Sequence, residues 1–164
     1  MSDSKYADLR TRTISAIVML IIACVTLGVG GILFQLTLLA VGFCVMWEIV
    51  GFSPSQSAYR AAISVMFACS IAAGIWFIWP ISVGMLIATL SGYILLTKPS
   101  DKVLRCVLAI LAFMGLITLA NLRLDVGLAP TLWVIACVIA SDIGGYFAGR
   151  TFGGPKLWPA ISPK

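Results

Sequence analysis

Apolar residues run along the chain in long blocks that no charge interrupts. Thr13–Trp47 is 35 residues without Asp, Glu, Lys or Arg. As one helix at about 1.5 Å per residue it would exceed about 50 Å, too long for a single pass through a hydrocarbon core of about 30 Å. Gly28, Gly30 and Gly31 supply the break, so the pattern predicts a helical hairpin, 13–29 and 32–51. The same reasoning applies to Ala61–Thr97, 37 uncharged residues broken at Trp79-Pro80, where proline removes a helix donor and restrains the residue before it. Helices are expected near 60–79 and 81–97, and two more at about 103–120 and 130–149, separated by Asn121–Ala129. The predicted fold is all-α: a polytopic membrane protein of about six transmembrane helices over 13–149, with an N-terminal tail at 1–12 and a terminal loop at 150–164.

Composition supports this. Of the 164 residues, 61% are apolar, 10% are charged and none is His, with a mean hydropathy of +1.09. Soluble domains carry about 25% charged residues, so a free globular domain and a disordered chain are both excluded, as are His-based catalysis and His-ligated metal. Cytoplasmic loops of membrane proteins collect Lys and Arg. Six spans with the N-terminus inside put Lys5, Arg10, Arg12, Arg60, Lys98, Lys102, Arg105, Arg150, Lys156 and Lys164 on the cytoplasmic side and only Arg123 outside. Adding or losing a helix would flip every later loop, so the expectation is N-in, C-in. The net charge of +5 then describes one face, serving insertion and attraction to anionic lipid heads. Dispersed over four loops with no soluble domain to present it, this charge gives no reason to expect nucleic-acid binding. The first apolar stretch is longer than a signal-peptide core and ends in no convincing cleavage site, so it reads as a retained helix. Cys24, Cys44, Cys69, Cys106 and Cys137 fall in five different predicted spans without CxxC spacing, as small buried groups rather than metal ligands or disulfides.

Two acids lie inside predicted spans, and an ionisable residue in a membrane is a functional candidate by default. Glu48 is one turn from the end of its helix beside the interfacial Trp47, and is read equally as a boundary residue. Asp142 has more telling neighbours. Ser141, Gly145 and Gly149 form one helical row, and Asp142, Tyr146 and Arg150 the row beside it. Asp142 and Arg150 are two turns apart, about 12 Å, too far for a direct salt bridge. The small row permits close approach of another backbone, and the polar row faces that seam. Beyond Gly149 come three prolines, two glycines and three cations in fifteen residues. Gly153-Gly154-Pro155-Lys156 is no P-loop, because Pro155 lacks an N–H and Leu157 stands where a hydroxyl is needed. The loop is instead a basic segment in which Arg150, Lys156, Ser162 and Lys164 can hold phosphate by charge and side-chain hydrogen bonds, or rest on lipid heads.

Asp142-Ile-Gly-Gly-Tyr-Phe-Ala-Gly-Arg-Thr-Phe-Gly-Gly-Pro-Lys-Leu-Trp-Pro-Ala-Ile-Ser-Pro-Lys164 resembles the central motif of bacterial phosphatidate cytidylyltransferases, the CDP-diacylglycerol synthases. Arg12-Thr-Ile-Ser-Ala-Ile and the Trp47-Glu48 pair also resemble that family's opening, so the likeness spans the chain. Gly145 stands where the family has Ala. The family pattern continues past this point into Lys-Thr-x-Glu-Gly, further helices and a C-terminal signature, so the chain is expected to correspond to the N-terminal portion of such an enzyme, incomplete by itself.

The resemblance implies an inner-membrane enzyme that joins CTP and phosphatidate into CDP-diacylglycerol and pyrophosphate, in contact with membrane lipids and dependent on Mg²⁺. It implies Asp142 as the catalytic and metal-site carboxylate. Arg150, Lys156 and Lys164 would contact phosphates, Ser162 would hydrogen-bond nucleotide or lipid phosphate, and Tyr146 would orient Asp142 or stack near the nucleotide. Three rival readings stay open: a non-catalytic remnant, half of a split enzyme pairing with a separately encoded C-terminal half, and a small transporter subunit. A homodimer is also open.

Overall fold

The structure, a computed structural model, describes residues 3–51, 57–77, 79–96 and 102–152. All regular elements among them are helical: α1 (Asp3–Val29), α2 (Gly31–Gly51), α3 (Ser57–Trp76), α4 (Trp79–Leu96), α5 (Lys102–Asn121), a π-helical turn (Leu122–Val126) and α6 (Leu128–Phe152). Helix α1 reaches back to Asp3, through residues whose polarity had placed them in a tail. Helix α4 starts at Trp79, with Pro80 inside its first turn. There the missing N–H costs nothing, because the first N–H groups of a helix have no partner in any case. Between α5 and α6 the chain stays coiled through the π turn, closed by the Gly127 N–H donating to the Leu122 carbonyl at 3.0 Å. Gly127 then turns the chain at φ 116°.

The chain divides into two compact units, residues 1–128 and 129–164. In the first, α2 packs on α3, α3 on α4, α5 against both α2 and α3, and α1 along α2. Helices α2, α4 and α5 each bury one stripe: Phe34, Leu38, Gly42, Met46, Ile49 and Val50 on α2, Ser82, Leu86, Thr89 and Tyr93 on α4, and Ala109, Phe113, Ile117 and Ala120 on α5. Ile63, Phe67 and Ile71 of α3 complete the core. The remaining faces are also apolar, with Ile17, Leu20, Ile87 and Leu111 exposed. Helices apolar all round with one buried stripe belong in lipid. Five are long and apolar enough to cross a membrane, the shortest at 18 residues; the apolar part of α1, Thr13–Val29, is shorter and, at 17 residues or about 25 Å, sits at the lower limit of a span. The chain is an integral membrane protein.

Lipid offers helices no hydrophobic drive toward one another, so close packing and polar contacts must hold the bundle. At Gly74 an added Cβ would lie 2.7 Å from Ile117 Cδ1 and 2.8 Å from Ser82 Oγ, so α3 meets α4 and α5 there at backbone range. Ser82 Oγ donates to the Ser70 carbonyl at 2.7 Å, tying α4 to α3, and Trp76 Nε1 donates to Gln35 Oε1 at 2.7 Å, tying α3 to α2.

Cations close the helix ends. The last carbonyls of a helix lack intrahelical donors, and in a bilayer each unsatisfied group costs several kcal/mol. Near the end of α2, Arg60 Nε donates to the Trp47 carbonyl at 2.8 Å with its guanidinium 4.3 Å over the Trp47 ring. Arg105 Nη1 reaches the Ile49 carbonyl of the same helix at 3.2 Å. Lys102 Nζ donates to the Ile94 carbonyl of α4 at 2.8 Å. At the end of α1, Arg123 donates to the carbonyls of Leu27 at 2.8 Å and Gly28 at 3.3 Å. Gly30 makes this last contact feasible: its φ is +69°, and a Cβ there would lie 2.5 Å from Arg123 Nη2.

Two outcomes are expected in thermal unfolding of the detergent-solubilised chain. Arg105→Ala and Arg60→Ala each destabilise by about 1.5–3 kcal/mol, the range for hydrogen bonds to charged groups; purely topogenic cations would leave the midpoint unmoved. Gly30→Ala costs at least about 1–2 kcal/mol for the left-handed conformation, whereas Gly28→Ala, with nothing within 4 Å of the new Cβ, does not destabilise.

Candidate functional site

Helix α6 carries the acid at the head of the motif. Its apolar stretch ends at Gly149, seven residues beyond Asp142, which puts the carboxylate about 10 Å inside that end. Asp142, Tyr146 and Arg150 occupy successive turns of α6, so the helix brings the first two onto one face. Asp142 is exposed, as is Tyr146 at 61%. The Tyr146 ring meets Phe147 edge-on, with centroids 5.6 Å apart. The backbone of Arg150 continues the helix, while its side chain, and Lys156, Ser162 and Lys164 entirely, lie outside the described residues.

A Cβ at Gly144, Gly145 or Gly149 would meet no atom within 4 Å. Ser141 folds back, Oγ donating to the Val138 carbonyl at 2.8 Å. Among the described residues no group of three or more His, Cys, Asp or Glu could hold a metal by itself. Mg²⁺, however, is commonly held by one or two carboxylates together with substrate phosphates. One accessible carboxylate with space around it fits that donor set.

Four cations, including the Arg123 that the sequence sets apart from the other ten, bind main-chain carbonyls in the structure. Arg60, Lys102, Arg105 and Arg123 are committed to helix-end carbonyls. The Arg60–Trp47 pairing was missed by sequence reasoning, although an aromatic in the last turns of one helix and an arginine in the first turn of the next is a readable signal. Glu48 is exposed near the end of α2, and the five cysteines are free thiols, but none is buried as the sequence suggested: Cys24, Cys44, Cys69 and Cys137 lie on outward helix faces and Cys106 is half-buried.

Helix α6 thus carries a carboxylate within its apolar stretch and leads into a Gly-Arg segment of an integral membrane protein. The sequence profile of the cytidylyltransferase family matches residues 10–164, and the chain belongs to that family. Among curated relatives, it is 31% identical to the "Phosphatidate cytidylyltransferase" of Brucella suis biovar 1 over 96% of this chain and 60% of the relative. It is equally similar, over the same shares, to the protein of that name from Brucella abortus biovar 1. The chain thus spans about three-fifths of the length of these relatives. No solved structure matches it.

Gly145→Ala, whose Cβ would meet no described atom within 4 Å, is expected to raise the thermal midpoint slightly, by up to about 1 kcal/mol of helix propensity. A fall in the midpoint would show that the face is already packed.

Proposed function

We propose that the chain supplies the membrane bundle and motif helix of a CTP:phosphatidate cytidylyltransferase. The observation that carries this reading is the family match over nearly the whole chain, with an exposed acid inside the membrane stretch at the head of the motif. In this reading a phosphatidate oxygen forms a bond to the α-phosphorus of CTP, the bond from that phosphorus to the bridging oxygen breaks, and pyrophosphate departs. A phosphate monoester with a second pKa near about 6 is already ionised at neutral pH, so the nucleophile needs no protein base and the lack of His is no obstacle. What remains for the protein is positioning and charge neutralisation.

Asp142 is the residue we assign to hold the Mg²⁺. When bound, that ion would neutralise the phosphates and polarise the phosphorus under attack. Tyr146, one turn along, either orients the carboxylate or stacks near the nucleotide. Arg150, Lys156 and Lys164 balance the triphosphate and the departing pyrophosphate, and Ser162 donates a hydrogen bond to nucleotide or lipid phosphate. The reading places the protein in a bacterial inner membrane with both termini cytoplasmic, where soluble CTP meets a lipid head. Helix α6 supports it by carrying Asp142 close enough to the end of its apolar stretch for both to reach.

The test is Asp142→Asn in a full-length relative carrying the same motif, assayed with CTP, phosphatidate and Mg²⁺. CDP-diacylglycerol formation is expected to fall by about 100-fold or more, as for loss of one preorganised electrostatic group. The thermal midpoint should hold, because the side chain is exposed. Undiminished turnover would reject the assignment.

A further inference from the structure

The second intramembrane acid has no place in that reaction, and its setting is unlike that of the cations around it. Glu48 lies three residues before the end of α2, where the carbonyl end of the helix dipole disfavours a carboxylate. It borders a groove of about 530 Å³ between α2 and α5, lined by Val45, Glu48, Ile49, Leu108, Leu111 and Ala112. Glu48 is the sole polar side chain of that lining. The groove opens outward, since Leu108 is 45% and Leu111 62% exposed.

The cations at this end of the bundle are directed elsewhere: Arg60 to Trp47, Arg105 to Ile49 and Lys102 to Ile94. Among the described residues no ion pair reaches Glu48. Helix α5 also borders a second groove of about 370 Å³, lined by Ile94, Lys102, Val103, Cys106, Val107 and Ile110. Its charge is consumed within the protein, because Lys102 holds a helix-end carbonyl. The Glu48 groove alone of the two presents a charge that no described group answers.

We propose that the α2–α5 groove binds a phospholipid with an ammonium head group, Glu48 receiving the ammonium and the apolar lining receiving an acyl chain. Both halves of the site follow from its chemistry. A groove of aliphatic side chains facing the bilayer takes hydrocarbon, and a carboxylate one turn from the helix end sits at the depth of lipid heads, where a cation is its complement. A bare metal ion finds only one carboxylate there. The site does not rest on the cytidylyltransferase reading, since none of its residues is assigned to that reaction.

The test is native mass spectrometry of the full chain after equilibration with equimolar phosphatidylethanolamine and phosphatidylglycerol of identical acyl chains. The amine lipid is expected to be retained at about fivefold over the anionic one, a ratio that a single exposed ion pair can supply. Glu48→Gln should bring the ratio near unity with the bound total little changed. Leu111→Trp, which fills the groove and leaves the carboxylate in place, should lower retention of the amine lipid and serves as the test if Glu48→Gln does not fold. Equal retention by the unsubstituted chain, a preference that survives Glu48→Gln, or retention unaffected by Leu111→Trp would each overturn the proposal. So would a dimer without lipid preference that Glu48→Gln dissociates, which would assign the groove to a second copy of the chain.

Discussion

A helix leaves its last carbonyls without intrahelical donors, a deficit that grows costly wherever lipid replaces water, and the first unit meets it with cations. Arg105 closes α2, with Arg60 on the Trp47 carbonyl one turn before the helix end, Lys102 closes α4, and Arg123 closes α1. Each contact joins two elements, so closing an end also fixes a register. Helix α5 gains most. Its first turns reach the end of α2 through Arg105, and its π extension reaches the end of α1 through Arg123, residues 56 and 96 apart in sequence from their acceptors. The helix is thereby tied at both faces of the bundle.

These contacts matter because the core is thin. A stripe of four to six buried residues on each of α2 to α5 makes dispersion contacts, but its transfer from lipid to protein interior brings little of the free energy that drives a soluble core. The close approach at Gly74 and the Ser82 to Ser70 bond show how α3 and α4 meet that constraint internally. Cations that a charge tally reads as topogenic thus have a second, structural role, and the two are compatible. A guanidinium drawn to one side of the membrane during insertion is in place to cap whatever helix ends there.

The helices were legible because bilayer thickness sets a length, and charge-free blocks of 35 and 37 residues cannot fit it without a break. Gly30 and Pro80 announce where the breaks fall. The caps were not legible, because Arg123 and Leu27 are neighbours only once α1 and α5 have packed. Nor was the π turn, since Leu122–Val126 has an ordinary helical composition and its extra residue per turn follows from closure at Gly127. At the candidate site, the shared face of Asp142 and Tyr146 followed directly from i, i+4 spacing. Lys156, Ser162 and Lys164 follow Phe152, outside the described residues.

Depth is what separates the two acids. Both are exposed carboxylates on apolar helices, and both need an opposite charge to stand in a membrane. Glu48 is one turn from its helix end, within reach of head groups that are always present, so its counter-charge can be a resident of the bilayer. Asp142 lies about two turns inside the end of its apolar stretch, against one turn for Glu48. The glycines around it leave space that no described side chain fills. A carboxylate so placed is best served by a cation that arrives with its own ligands, as a metal on nucleotide phosphates does. The proposed metal role gives Asp142 a counter-charge that arrives with substrate, whereas Glu48 is proposed to draw one from the bilayer.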